Sequence, residues 1–173
     1  MTEASHVGDL VTRLALSHPE VSFRFINNGQ VKLHTSGNGN LKDVIYHIYG
    51  REIASNLIEV DFERKGIHIT GYLGKPLISR GNRNFENYFV DGRYIKSSII
   101  SKAIEDGYKD FTMQHKYPFV VLYLDVDTEH VDVNVHPTKM DVRFNNQQEI
   151  YNTLFAAVDD GYMNGTDSRS DIG

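Results

Sequence analysis

Hydrophobic residues recur at helical spacing in four separate segments of the chain. One face of the first segment is formed by Val7, Leu10, Val11 and Leu14. The other three segments cover residues 41–48, 100–104 and 146–158, and capping or helix-ending residues flank them. The pattern therefore predicts four amphipathic helices.

Alternation of apolar and polar residues predicts β-strands between these helices. One hairpin is predicted at residues 21–33 and a second at residues 58–69, each around a turn that contains glycine. Residues 119–124 are almost continuously apolar, which is typical of a strand buried on both faces. This order of elements predicts an α+β fold with helices on one face of a mixed sheet.

Residues 131–144, V-D-V-N-V-H-P-T-K-M-D-V-R-F, contain two further alternating runs. Pro137 separates the runs, because it has no N–H for a β-ladder and biases His136 toward an extended backbone. Lys139 is therefore predicted at or beside the tip of a tight turn, where its flexible ammonium can reach outside its own fold. An ordinary solvated turn lysine is the alternative.

The composition excludes several classes of protein. The chain has 173 residues and is 40% hydrophobic, which is enough for a buried core. No apolar run approaches the roughly 20 residues of a membrane span, and the polar N-terminus lacks the apolar region of a signal peptide. The absence of cysteine excludes disulfides, thiolate catalysis and cysteine zinc sites. We expect a cytoplasmic location.

Positive charge is concentrated in one part of an acidic chain. Residues 75–102 contain six basic and two acidic side chains, a local charge of +4, whereas the whole chain carries −5. A local basic segment is suited to phosphate contacts, because affinity follows the charges at the contact surface. An ordinary solvated face is the alternative.

Other candidate chemistry is weaker. The sequence has no G-x-x-x-x-G-K-[ST] phosphate loop. A group of acidic residues with one histidine resembles a divalent-metal site in composition: Asp125, Asp127, Glu129, His130 and Asp132. We interpret the group as a solvated acidic edge and predict no metal site in this chain. His136 is interpreted as a turn-packing residue rather than a general base.

Residues 89–95, F-V-D-G-R-Y-I, together with residues 131–144 resemble the MutL family of DNA mismatch repair proteins. The resemblance to their transducer domain extends from Gly37 to Tyr151, and residues upstream resemble the end of their ATPase domain. It implies the fold of the second domain of ribosomal protein S5, preceded by a helix–hairpin extension. The implied division is 1–36 for the end of the ATPase domain, 37–160 for the transducer domain and 161–173 for a flexible linker.

The resemblance implies roles for individual residues. Lys139 would contact the γ-phosphate of ATP, which the neighbouring ATPase domain binds with Mg²⁺, and Asn134 would support the turn and assist turnover. A purely structural asparagine is the alternative for Asn134. From its position across the turn, and not from the resemblance, Arg143 is expected to pair with Asp132 or Asp141. The parent protein is then an ATPase, whereas this chain alone is not expected to hydrolyse ATP.

The resemblance also implies partners. Non-specific contact with duplex or single-stranded DNA is expected from Arg80, Arg83, Arg93 and Lys96. The ATPase domain of the same protein, a MutS-type mismatch recognition protein and a second copy of the parent are the other implied partners. Two alternatives remain: a freestanding S5-like RNA- or DNA-binding module, and a small metal-dependent hydrolase. ATP-binding motifs upstream of Met1 would separate the first interpretation from both.

Overall fold

The computed structural model describes residues 3–127, 144 and 146–170, with side chains between residues 7 and 165 of those ranges. The contacts divide the chain into two compact units, Met1–Asn56 and Leu57–Gly173. The predicted division after residue 36 concerns the domains of a longer protein and stays a prediction.

The described part of the first unit contains three helices and one hairpin. The helices are α1 (Glu3–Ser17), α2 (Leu41–Tyr49) and α3 (Arg51–Ala54), and the strands are β1 (Arg24–Asn27) and β2 (Gln30–His34). The predicted turn is confirmed, because Asn28 and Gly29 both have positive φ between the antiparallel strands. On the predicted apolar face of α1, three side chains are exposed: Val7, Leu10 and Leu14.

The second unit is built on a five-stranded mixed sheet. Its strands are β3 (Leu57–Arg64), β4 (Ile67–Gly74), β5 (Glu86–Val90), β6 (Arg93–Tyr94) and β7 (Val120–Val126). The order across the sheet is β3-β4-β7-β5-β6, with β5 parallel to β7 and every other pair antiparallel. The predicted hairpin at residues 58–69 and the buried strand at 119–124 are therefore confirmed.

Helices α4 (Ser98–Tyr108) and α5 (Gln147–Ser170) cover one face of this sheet. The strand register places Phe62, Ile69, Leu124 and Val90 in one row across four strands. This row belongs to the same core as Ile100 and Ile104 of α4 and Leu154 and Val158 of α5. The α+β fold with helices on one face of a mixed sheet is confirmed.

Helix α5 continues where the sequence predicts the start of a flexible linker. The helix extends to Ser170, and Tyr162 is only 1% exposed. The glycines that resemble a linker are close-packing points: a Cβ at Gly161 would lie 2.8 Å from Leu73 Cδ1, and one at Gly165 would lie 2.9 Å from Ile58 Cδ1. Because they lack side chains, these residues let the helix approach the sheet. None of the described helices is long and apolar enough to cross a membrane.

Candidate nucleic-acid interface

The turn between β5 and β6 is bonded to the end of β7. Asp91 and Gly92 form the turn with φ angles of +49° and +84°. The Asp91 amide donates to the Leu124 carbonyl oxygen at 2.9 Å, and the Asp91 carboxylate accepts from the Val126 amide at 3.1 Å. The F-V-D-G-R-Y-I turn is thus tied to the strand end that leads in sequence to residues 131–144.

The residues predicted to act on a nucleotide lie in the segment that the structure does not describe. Lys139 and Asn134 fall there, and so do His136 and Arg143. Before this segment, the Asp127 amide donates to the Gly66 carbonyl oxygen at 3.1 Å. After it, the Asn146 side chain accepts from the Glu149 amide at 3.1 Å, as expected for the predicted helix cap. The described residues on both sides are therefore fixed by hydrogen bonds.

Two of the predicted DNA-contacting residues lie in the short segment from β6 to the start of α4. Arg93 and Lys96 are both exposed, and Ser97 caps the helix because its Oγ accepts from the Ile100 amide at 3.3 Å. The N-terminal end of a helix carries partial positive charge, which adds to that of the two side chains. This end of α4 therefore has the charge needed to bind phosphate groups.

The other two predicted residues, Arg83 and Arg80, each lie against an aromatic ring. The Arg83 guanidinium donates two hydrogen bonds to the Glu105 carboxylate, at 2.6 and 3.0 Å, and lies 4.9 Å from the Tyr117 ring centroid. The Arg80 guanidinium lies 4.4 Å from the centroid of the Phe85 ring. Both cations are therefore held against the protein surface.

The structure thus places Lys96 just before α4, with Arg93 three residues earlier in β6, and holds Arg83 near the other end of the helix. Glu105 follows Ser97 by eight residues, which corresponds to about 12 Å along the helix axis. The hydrogen bonds with Glu105 raise the pKa of Arg83 and compensate its charge. The sequence count over residues 75–102 did not include Glu105, because this partner lies just beyond that segment.

Glu86 differs from its sequence-based interpretation as an anion. The residue is 7% exposed beneath α4, and burial, followed by the nearby Glu105 carboxylate, raises the pKa of Glu86 to about 9. Burial therefore favours the uncharged form of this side chain. Among the described residues, neither carboxyl oxygen makes a hydrogen bond of normal geometry, although Ser101 and Glu105 lie near enough to affect its titration. The amino-acid pattern alone does not indicate this burial.

Tyr88 is a second residue that the sequence analysis did not identify. Its hydroxyl accepts a hydrogen bond at 2.8 Å from the amide of Ser97, the residue that caps α4. A tyrosine at a buried strand position indicates such a contact, because the hydroxyl of a buried tyrosine usually forms a hydrogen bond.

The acidic group considered as a metal site is only partly described. Asp125 and Asp127 lie in the described ranges, and three members do not: Glu129, His130 and Asp132. Within those ranges, no group of three or more potential ligands is placed to hold a metal ion. Asp125 is the cross-strand neighbour of His68, whose Nε2 lies 2.7 Å from the Asp61 carboxylate. The hydrogen bond with Asp61 is the main cause that raises the pKa of His68.

The chain matches one protein family. The profile described as "DNA mismatch repair protein, C-terminal domain" matches residues 45–163. The DNA mismatch repair protein MutL of Agathobacter rectalis is 63% identical over 161 residues, which cover 91% of this chain and 25% of that protein. The MutL protein of Clostridium botulinum is 44% identical over 156 residues, which cover 90% of this chain and 23% of that protein. This chain spans about a quarter of the length of these relatives.

Two solved structures share the fold. A structure described as the N terminal domain of a DNA repair protein gives a TM-score of 0.76 at 21% identity, covering 93% of this chain and 54% of that one. The Aquifex aeolicus MutL ATPase domain complexed with ADP gives a TM-score of 0.52 at 17% identity. This match covers 87% of this chain and 46% of that one. Since the family profile matches well over half of its residues, this chain belongs to the MutL family of DNA mismatch repair proteins and contains the transducer region.

Proposed function

We propose that this chain couples ATP binding and hydrolysis in an adjacent ATPase domain to the binding of DNA. The observation that carries the proposal is the pair of hydrogen bonds that join Asp91 and the end of β7. On one side, the Asp91 turn continues into Arg93, Lys96 and α4. On the other, β7 leads in sequence to Lys139. A displacement of the segment on either side would therefore be transmitted to the other side through these two hydrogen bonds.

On the nucleotide side, ATP and Mg²⁺ would be held by residues outside this sequence. The related Aquifex aeolicus ATPase domain has been solved with ADP. Lys139 would place its ammonium against the γ-phosphate, and Asn134 would support the turn. Phosphoryl transfer depends mainly on positioning and on charge directed at the transferred group. A lysine supplied by a separate domain would make turnover depend on how the two domains are oriented.

On the DNA side, Arg93, Lys96 and the N-terminal end of α4 form the proposed contact. Binding would be non-specific, because such groups reach phosphates and not base edges. Arg80 and Arg83 remain in the proposed contact set, but we assign them a smaller share. Arg83 would have to leave the Glu105 carboxylate before it could neutralise a phosphate.

The other partners follow from the family and from one exposed surface. Val7, Leu10 and Leu14 leave an apolar helix face exposed on α1, and such faces commonly mark contact surfaces. In the proposal the ATPase domain of the same protein covers this face. A MutS-type protein, a second copy of the parent and a cytoplasmic location complete the proposal. Family membership favours it over a freestanding S5-like module.

Substitution of Lys139 tests the nucleotide side. Lys139→Ala is expected to slow ATP turnover of the full-length protein about a hundredfold or more, because a charge directed at the transferred phosphoryl group is lost. The stability of this 173-residue chain should change by no more than about 0.5 kcal/mol, as for other surface substitutions. Lys139→Arg keeps the charge and serves as the control. Normal turnover of the Lys139→Ala enzyme would contradict this role.

A further inference from the structure

The hydroxyl group of Tyr88 holds the backbone on which Lys96 is carried. Tyr88 lies in the middle of β5, is 3% exposed and directs its ring toward α4. Its hydroxyl accepts from the Ser97 amide at 2.8 Å and donates to the Ser97 carbonyl oxygen at 2.9 Å. The Ser101 hydroxyl lies 2.8 Å away and completes the set. A phenol has one hydrogen to donate and two lone pairs, so these three contacts use its full capacity.

The same tyrosine is bonded to both sequence neighbours of Lys96. The Ser97 amide is bonded to the side chain of Tyr88, and the Ile95 amide approaches the Tyr88 carbonyl oxygen at 3.5 Å. Ile95 is 1% exposed and anchors the preceding residue in the core. The Lys96 side chain thus extends into solvent from a backbone that is fixed on both sides.

The remaining polar atoms of Ser97 depend on this geometry. Its Oγ accepts from the Ile100 amide at 3.3 Å, and its carbonyl oxygen also accepts from the Ser101 amide at 3.0 Å. Without the phenol, the Ser97 amide would lose its bond in a half-buried position, where an unsatisfied donor is costly. We therefore expect the first turn of α4 and the residue before it to become less ordered.

We propose that Tyr88 is a positioning residue for the DNA contact of Lys96, acting through Ser97 without touching DNA. The inference rests on the DNA contact proposed above and adds the residue that sets its geometry. Ordering a long side chain at a contact costs free energy, and a rigid backbone lowers that cost. The buried hydroxyl thereby contributes to affinity.

A matched control separates positioning from general stability. Tyr162 is also buried, at 1% exposure, and its hydroxyl donates to the Gly74 carbonyl oxygen at 2.8 Å. Tyr162→Phe removes the same chemical group from α5, away from the start of α4. It should therefore lower stability without changing DNA affinity.

The experiment measures binding of a fluorescent duplex DNA to the 173-residue chain at several salt concentrations, well below the melting temperature of each variant. Tyr88→Phe is expected to weaken binding about five- to tenfold, because a less rigid backbone raises the cost of ordering the Lys96 side chain at the contact. In a Lys96→Ala background the same change should have no further effect. Ser101→Ala, which removes one partner of the phenol, should give a smaller loss with the same dependence on Lys96.

Two results would overturn the inference alone. One is that Tyr88→Phe lowers DNA affinity by the same factor whether or not Lys96 is present. The other is that Tyr162→Phe lowers DNA affinity as much as Tyr88→Phe does. If Lys96→Ala and Arg93→Ala both leave DNA affinity unchanged, the proposed DNA contact fails, and the inference fails with it. If those two variants weaken binding and Tyr88→Phe does not, only the inference fails.

Discussion

The buried carboxyl group of Glu86 makes stability depend on pH at the scale of a single residue. Its pKa rises from an ordinary 4.5 to about 9 in the folded chain. Between these values the folded chain retains a proton that the unfolded chain has lost, so this group lowers stability as pH rises. The contribution of the Glu86 carboxyl group to stability is fully present below pH 4.5, and it is lost as the pH rises toward about 9.

Glu86→Gln mimics the neutral carboxyl group and should remove this dependence. We expect the variant to match the parent chain near pH 5 and to be more stable near pH 8. The pH dependence that disappears corresponds to at most one bound proton, which is a slope of about 1.4 kcal/mol per pH unit in the free energy of unfolding. Urea unfolding at several pH values measures it. Parallel pH profiles for the two proteins would show that Glu86 is charged when folded.

Single residues show where sequence analysis reaches its limit. Arg93 and Lys96 are candidates for DNA contact already in the sequence, because their charge is a local feature. The pairing of Arg83 with Glu105 spans 22 residues and has no local signal. The raised pKa of Glu86 likewise depends on its burial beneath α4, which is a consequence of tertiary packing.

At the scale of elements, the contact of α5 with the sheet depends on glycine. Gly161→Ala should raise intrinsic helix propensity, yet the new methyl group would lie 2.8 Å from Leu73 Cδ1, and Leu73 is fully buried. We expect a net loss of about 1 kcal/mol or more in unfolding free energy, because overpacking outweighs the helical gain.

Gly8→Ala is the matched control for this prediction. Gly8 lies inside α1, where an added Cβ would be 3.6 Å from the Phe25 ring, an ordinary contact. This change should stabilise its helix by about 0.5–1 kcal/mol. Thermal unfolding followed by circular dichroism compares the two variants. Stabilisation by Gly161→Ala would show that α5 does not pack closely on the sheet.

The element types were largely predictable, because helical and strand periodicities are long and regular in this chain. All four predicted helices are present, the two hairpins follow the alternation of their residues, and the buried strand follows a continuous apolar run. The end of α5 was not predictable in the same way. Glycine and polar residues near 161–165 resemble a linker, and only the proximity of Leu73 and Ile58 explains glycine inside a packed helix.

At the scale of the whole molecule, an acidic chain is proposed to bind DNA through a local surface. Affinity should fall steeply with salt, with a slope set by the number of phosphates neutralised. Reversing charge in Arg93→Glu and Lys96→Glu should weaken binding equally for unrelated duplexes. Arg83→Ala should have a smaller effect, since Glu105 compensates that charge. Salt-independent or sequence-selective binding would contradict this assignment.

The coupling of DNA to ATP turnover is the central claim, and Asp91 offers the most direct test of it. Asp91→Gly keeps the positive φ of the turn but removes the carboxylate that accepts from Val126, whereas Asp91→Asn keeps an acceptor. ATP turnover of the full-length protein should be measured with and without DNA. We expect Asp91→Gly to retain basal turnover and DNA affinity but to lose most of the change in turnover that DNA causes, while Asp91→Asn retains it. An unchanged response to DNA in Asp91→Gly would contradict the account.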